Sequence, residues 1–242
     1  VEFWTYGPVK QTATQRCDRL QASHPCKLIS DRFGNQILHF TFLDFPPLGS
    51  KIISIGATVS LSESPLPTDD GNLEAYVPAG KYMESQSLPV VELAGSIIQK
   101  KDARAPEAFF RWITENIRND AYTRQERGAL TCLKTRRGDC TEQMALFVAL
   151  CRAAGIPARG LGGYVCDGDR MLKADDYHNW AEFQTDGLWR LADPQKRVFA
   201  QNPSRYIAFR VITGTADETD NPMGAAHRFR FEGEGLRVRM NP

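Results

Sequence analysis

Long apolar runs are missing from this 242-residue chain. Crossing a bilayer as a helix takes about 20 consecutive apolar residues, and no stretch comes near that, so membrane insertion is not expected. An excess of either charge is missing too. Lys and Arg number 30 against 29 Asp and Glu, a net charge of +1, which gives no electrostatic reason to bind nucleic acid. Glycine-rich phosphate loops, internal repeats and low-complexity tracts are absent. The six cysteines (17, 26, 132, 140, 151 and 166) form no Cys-x-x-Cys pair and are too sparse for a disulfide scaffold. Cys17, His24 and Cys26 lie close together but offer no fourth ligand, so neither a metal nor another cofactor is expected. A local Cys17 to Cys26 disulfide fits better than zinc but is still not favoured. A signal-like segment is lacking and the chain opens at Val1; a cytoplasmic protein is slightly favoured, with a mature exported form as the alternative.

What is present suits a folded protein. The hydrophobic fraction, 42%, is ordinary for a chain that buries a sizeable core, in one large or two modest domains. Strand-like runs at Gln36 to Phe42 and Lys51 to Leu61, punctuated by Phe-Gly-Asn and Phe-Pro-Pro turns, mark a β-rich N-terminal unit. Ser62 to Asn72 reads as a loop, and Leu73 to Leu93 as an irregular connection. A helix is expected from about Pro106 to Asn119, with a broad apolar face of Phe109, Phe110, Trp112, Ile113 and Ile117. Asp120 to Arg136 is polar and a candidate for substrate contact, with Lys134, Arg136 and Arg137 reading as a solvated basic loop. Cys151 and Cys166 fall on core-facing patterns. Gly160 to Val165, Tyr206 to Ile212, Ala226 to Phe231 and Arg237 to Met240 read as strands, and Asp217 to Gly224 as a turn-rich link.

The chemistry concentrates around Cys140. Asp139 is a favoured N-cap residue, Glu142 completes a capping-box pattern, and Met144, Phe147, Val148, Cys151 and Ala154 continue an apolar helical face until Gly155 and Pro157 end it. Cys140 therefore falls in the first turn, where unpaired N–H groups and the helix dipole favour a thiolate. Nucleophilic thiol catalysis also needs a base and a group to orient it. Among only four histidines, His178 stands in an aromatic-rich run followed by Asp186-Gly187, the signature of a two-residue hairpin loop. Counting outward from Thr185 opposite Leu188 pairs Trp180 with Asp193. His178 and Asp193 then share a face as diagonal neighbours, with Cα atoms about 7–8 Å apart. Taken singly, a satisfied strand histidine and an Asp-Pro turn starter are equally good readings. In combination with Cys140 and in this order, the three residues favour a site.

These segments carry a family resemblance. Arg137-Gly138-Asp139-Cys140-Thr141-Glu142, Arg152 through Arg159 into Gly163-Tyr164, His178-Asn179-Trp180-Ala181-Glu182, Asp186-Gly187-Leu188-Trp189 and Asp193-Pro194 together resemble the transglutaminase-like superfamily of the papain-like thiol fold. The likeness spans roughly residues 103 to 200. It implies Cys140 as nucleophile, His178 as general acid/base and Asp193 as the orienting carboxylate. Asp31 to Gln36 followed by Ile37 to Phe42 resembles the β domain that precedes the core in small bacterial members. The implied fold is α+β: an N-terminal β-rich domain over residues 1–90, and a papain/transglutaminase-like core with C-terminal strands over 91–242. No acidic cluster resembles the calcium sites of the animal cross-linking enzymes. The implied reaction is cysteine-dependent acyl transfer on a peptide, protein or carboxamide. Hydrolysis is favoured; transfer to a primary amine and a non-catalytic peptide-binding scaffold are the alternatives.

Overall fold

The computed structural model describes residues 1–68, 73–99, 104–123, 127–214, 221–224 and 228–236. The fold is α+β, with N-terminal sheets ahead of a helix-covered core sheet. In chain order the elements are β1 (Glu2–Tyr6), β2 (Gln15–Ala22), β3 (Lys27–Ser30), β4 (Gln36–Thr41), β5 (Ile55–Leu61), α1 (Leu88–Gln99) and α2 (Ala105–Asn116), then β6 (Arg118–Asn119), α3 (Gly128–Thr135), β7 (Arg137–Gly138), α4 (Cys140–Ala153) and β8 (Ala158–Val165). β9 (Tyr177–Thr185), β10 (Leu188–Asp193), β11 (Val198–Phe199), β12 (Tyr206–Ile212) and β13 (Phe229–Glu232) complete the order.

The core is built around α4. Its apolar positions were expected to form one face, but the helix is buried on every side from Glu142 to Arg152. α1, α2 and α3 pack around it, and β8 and β9 form its floor. Even Arg152 is enclosed, its guanidinium donating to the carbonyls of Ala158, Pro78 and Thr213 at 2.8–3.0 Å. Gly155, at φ +73°, supplies the left-handed residue that ends the helix. The five-stranded antiparallel sheet runs β11-β10-β9-β8-β12. One face carries Ala181, Phe183 and Ala192 toward the helices; the other carries Leu161, Trp180, Leu191 and Tyr206 into a second cluster with Val9, Phe33 and Tyr76 of the N-terminal unit.

The N-terminal unit holds a four-stranded sheet, β13-β1-β4-β3, and the β2-β5 pair. β13 comes from the far end of the chain and pairs along β1, so this sheet crosses the expected division at residue 90. Arg237 to Met240 lies outside the described residues, as do 217–220 and 226–227 of the other expected C-terminal segments.

Five expectations are corrected. Leu73 to Leu93 is not irregular throughout, because α1 starts at Leu88 and buries Val90, Ala94 and Ile97. The polar reading of Asp120 to Arg136 overlooked α3, an eight-residue helix with Ala129, Cys132 and Leu133 buried, whose pattern is short and flanked by charge. Lys134 to Arg137 is accordingly no loop: Lys134 lies in the last turn of α3, Arg136 caps it at φ 57° and lies over the Trp112 ring, and Arg137 pairs with Asp120 at 2.9 Å. α2 ends at Asn116, three residues early, because Arg118 and Asn119 pair in parallel with β7. Cys151 is fully buried, whereas Cys166, just past β8, is half-buried.

The packing predicts two opposite glycine effects. A Cβ on Gly163 would lie 2.0 Å from the Ile207 carbonyl oxygen, a backbone atom that cannot yield without opening the β8–β12 pairing. Gly163→Ala is expected to destabilise by about 3 kcal/mol, as overpacking does. A Cβ on Gly95, inside α1, would meet nothing within 4 Å. Gly95→Ala is expected to stabilise by about 0.5–1 kcal/mol. Urea denaturation of the two variants checks both signs.

Candidate active site

The site begins at the entrance to α4. Asp139 is the N-cap, its Oδ1 accepting from the Thr141 N–H at 2.8 Å, while Glu142 Oε2 accepts from the Asp139 N–H at 3.0 Å. The capping box expected from Asp139 and Glu142 is thus formed. Its buried carboxylates are also held from outside: Asp139 Oδ2 accepts from the Thr123 N–H at 3.2 Å, and Glu142 receives Arg127 at 3.1 Å. Arg127 and Arg137 both reach Asp120, at 3.4 and 2.9 Å, and bind the 120–123 segment to the helix entrance. Gly138 has to be glycine, since a Cβ there would meet the Glu142 Cβ at 2.8 Å and the Cys132 sulfur at 3.0 Å. Cys140, the first helical residue, is half-buried and opens onto a cleft of about 400 Å³.

The β9–β10 hairpin supplies the facing wall. Asp186 and Gly187 have φ of 52° and 77°, the left-handed pair that a type I′ turn requires. Thr185 lies opposite Leu188, and the register runs to Ala181 opposite Ala192, so the next pair outward is Trp180 and Asp193, as the count predicted. His178 and Asp193 meet as diagonal neighbours: His178 donates from Nε2 to Asp193 Oδ2 at 2.7 Å. With Nε2 on the carboxylate, Nδ1 is the ring nitrogen left for the sulfur; Cys140 and His178 line the same cleft, and Cys140 is near enough to help raise the pKa of the ring. A strut joins the two walls one residue beyond each of these groups, where Asn179 Nδ2 donates to Thr141 Oγ1 at 2.9 Å.

Asp193 is fully buried and fully occupied. Besides His178, its Oδ2 accepts from the Tyr206 hydroxyl at 2.9 Å, and its Oδ1 from the Lys196 N–H at 3.1 Å. For His178, burial is the largest single influence and disfavours the charged ring. The hydrogen bonds to Asp193 and Cys140 and their charges outweigh it, raising the pKa from 6.5 to about 9. Tyr206 is pushed well above the ordinary phenol range, by burial first and then by the Asp193 charge. Cys132 is pushed up to about 12 by burial and the Glu142 charge, and burial raises Cys151 further still.

Cys140, His178 and Asp193, chosen from the sequence, are therefore brought together. Asp120, Arg127, Thr141, Asn179 and Tyr206 were not foreseen in these contacts. The capping pattern could have pointed to Glu142 as needing a cation, but Arg127 carries no local sign of being it. Glu182 is the partner of Arg159, at 2.8–2.9 Å, with the guanidinium 4.2 Å from the centre of the Trp189 ring. Trp180 and Trp189 are core residues. All six cysteines are free thiols, and among the described residues no group of three or more His, Cys, Asp or Glu side chains could hold a metal. Among those residues no helix is long and apolar enough to cross a membrane.

Residues 92–194 match the family model of the transglutaminase-like superfamily. This segment is similar to a transglutaminase-like core. It begins inside α1 and ends just past Asp193, so it holds Cys140, His178 and Asp193 but leaves β12 and the N-terminal sheets outside. Across its whole length the chain also shares the fold of a solved structure from Cytophaga hutchinsonii described as a "Putative Cysteine Protease", at 20% identity and a TM-score of 0.66, covering 87% of that chain. Weaker likenesses are to the periplasmic domain of TgpA from Pseudomonas aeruginosa bound to ethylmercury (17% identity, TM-score 0.45, 81% of this chain and 75% of that one) and to a "Putative Protease" from Parabacteroides distasonis (17%, 0.37, 74% and 38%). No curated protein matches the chain.

The buried His178–Asp193 pair predicts a pH signature. The folded state holds the His178 proton more tightly than the unfolded chain, so the stability it adds is complete below about pH 6.5 and is lost as pH rises through about 9. An NMR titration of the His178 ring should show its midpoint near 9. Asp193→Asn should lower that midpoint.

Proposed function

We propose that this protein is a cysteine-dependent acyl-transfer enzyme that hydrolyses peptide or carboxamide bonds, with Cys140 as nucleophile, His178 as general acid/base and Asp193 as the orienting carboxylate. The observation that carries the reading is the position of the His178 ring, hydrogen-bonded to Asp193 and lining the same cleft as Cys140. That is the relation a thiol, its base and the base's orienting group need.

The Cys140 sulfur attacks the carbonyl carbon as the thiolate, its proton held on His178. The C–N bond of the tetrahedral intermediate then breaks, and His178 passes the proton to the departing amine, leaving a thioester on Cys140. N–H groups of the first turn of α4 face the oxyanion; a donor in that role is worth about 3 kcal/mol. A water molecule attacks the thioester, its proton goes to His178, and the acid leaves as the thiolate is restored. Asp193 stays ionised throughout, holding the ring's tautomer and balancing the imidazolium. The cleft is open to solvent and lined by groups of both signs, among them Asp175, Lys196 and Arg228, which suits a polar peptide or protein substrate and admits water as acceptor.

Profiling against a peptide library, with and without an added primary amine, tests the proposal. New N-termini are expected, with Cys140→Ala abolishing them and His178→Ala reducing their rate by about 10²–10⁴-fold. Incorporation of the amine in their place would make the enzyme a transamidase. Absence of both, with the fold intact, would leave a peptide-binding scaffold.

A further inference from the structure

We infer that Tyr206 is a positioning residue for the Cys140–His178–Asp193 constellation, and that the N-terminal β unit acts on the site through the strand that carries it. The inference rests on the roles proposed above for those three residues. Tyr206 lies in β12, beyond the segment matched by the family model. Its hydroxyl, 4% exposed with the rest of the side chain, donates to the same Asp193 oxygen that receives His178. A carboxylate held by His178, Tyr206 and the Lys196 N–H cannot turn without leaving a buried donor unmet. The Tyr206 ring also packs edge-on against Trp180 at 5.1 Å, and Trp180 in turn stacks on His178 at 6.4 Å. One tyrosine therefore restrains both members of the His178–Asp193 pair.

β12 is an edge strand of the core sheet, and the N-terminal unit pairs with its outer side. Gln15 does so as a strand residue would, accepting from the Ala208 N–H at 2.7 Å and donating to the Ala208 carbonyl at 2.9 Å. Asn35 repeats the arrangement at Val211, at 2.7 and 3.2 Å, and the Val9 N–H donates to Ala208 at 2.8 Å. Both amide side chains are buried. Ala208 is two residues from Tyr206 in the same strand, so the docking fixes the end of β12 from which the hydroxyl reaches Asp193.

The test is the pH dependence of Cys140 alkylation by iodoacetamide, read site by site by mass spectrometry on the full chain. Tyr206→Phe is expected to slow alkylation at neutral pH by about tenfold, the scale of one hydrogen bond to a charged group. It should also move the alkaline limb of the profile to lower pH by about half a unit or more, as the ring loses its oriented carboxylate. Gln15→Ala should move the limb the same way by less. A limb unmoved or raised in a folded Tyr206→Phe protein would overturn the positioning role, because a merely structural tyrosine alters stability without altering the profile. A limb unmoved in Gln15→Ala would overturn the link to the N-terminal unit. If the phenylalanine variant does not fold, 3-fluorotyrosine placed at position 206 serves instead: it alters the hydroxyl's donor strength at nearly constant size, and an unmoved limb overturns the role. His178→Ala is the control for the underlying reading. If it alkylates like the wild type, the proposed pair itself fails; if it is slow while Tyr206→Phe matches the wild type, only the present inference fails.

Discussion

A carboxylate with no exposure to solvent, Asp193, is the constraint around which this fold is arranged. A buried charge is costly unless its lone pairs are met, and here three donors from three places meet them: a histidine one strand away, a tyrosine on the same face from the edge strand β12, and the backbone just past the strand's end. Each donor is thereby fixed in turn. The histidine has its tautomer chosen for it, with Nε2 committed and Nδ1 free to face sulfur. A low-dielectric setting would ordinarily strip the ring of its proton; the carboxylate and the Cys140 side chain together reverse that outcome and hold the proton to about pH 9.

The cysteine side solves a similar problem with different parts. A helix that begins at Cys140 leaves unpaired N–H groups beside the thiol, and the Asp139–Glu142 box meets some of them while burying two more carboxylates. Arg127 answers one of these and, through Asp120, ties in Arg137 as well. The 120–123 segment that borders the cleft is thus fastened to the charge network that sets the helix entrance. Cleft wall and nucleophile are positioned by one set of ion pairs. The Asn179–Thr141 strut then joins this half to the hairpin half one residue beyond each reacting group, so the distance between sulfur and ring is set by a contact that neither of them makes.

How far this could be read in the sequence follows from the range of each interaction. Asp139 to Glu142 and Asp186-Gly187 are local signals, complete within four residues, and each fixes a geometry: a helix start in one case, a strand register in the other. Together they locate Cys140, His178 and Asp193. Tyr206 is separated from Asp193 by a turn and a short strand, and no periodicity in 206–212 marks its hydroxyl as different from any other buried phenol. Arg127 lies among charged residues and in front of a helix too short to announce itself. α1 was lost because Leu88-Pro89 looks like a connector, although proline in a first turn is well tolerated. The N-terminal β unit was legible as strands but not as a support for the core, since its docking uses two amides whose partners lie 176 and 193 residues away.

That docking accounts for a segment whose purpose is otherwise obscure. The Asp31 to Gln36 turn closes on itself, Asp31 accepting from the Phe33 and Asn35 N–H groups and from the Asn35 side chain, and the result is an Asn35 amide held rigid before it reaches Val211. Between the two docked residues β12 carries a bulge, at Ala208 to Arg210. The bulge lets Phe209 pack on the N-terminal cluster of Trp4, Tyr6 and Ile37 while Ala208 and Val211 keep facing the core. An unbulged strand would present either the core residues or Phe209 correctly, not both, because a one-residue shift exchanges faces. An edge strand also needs protection from unwanted pairing, and a neighbour that supplies side-chain amides occupies the exposed backbone groups without extending the sheet. The same contacts that close the edge hold the strand on which Tyr206 is mounted, so protection of the sheet and support of the buried carboxylate come from one interface.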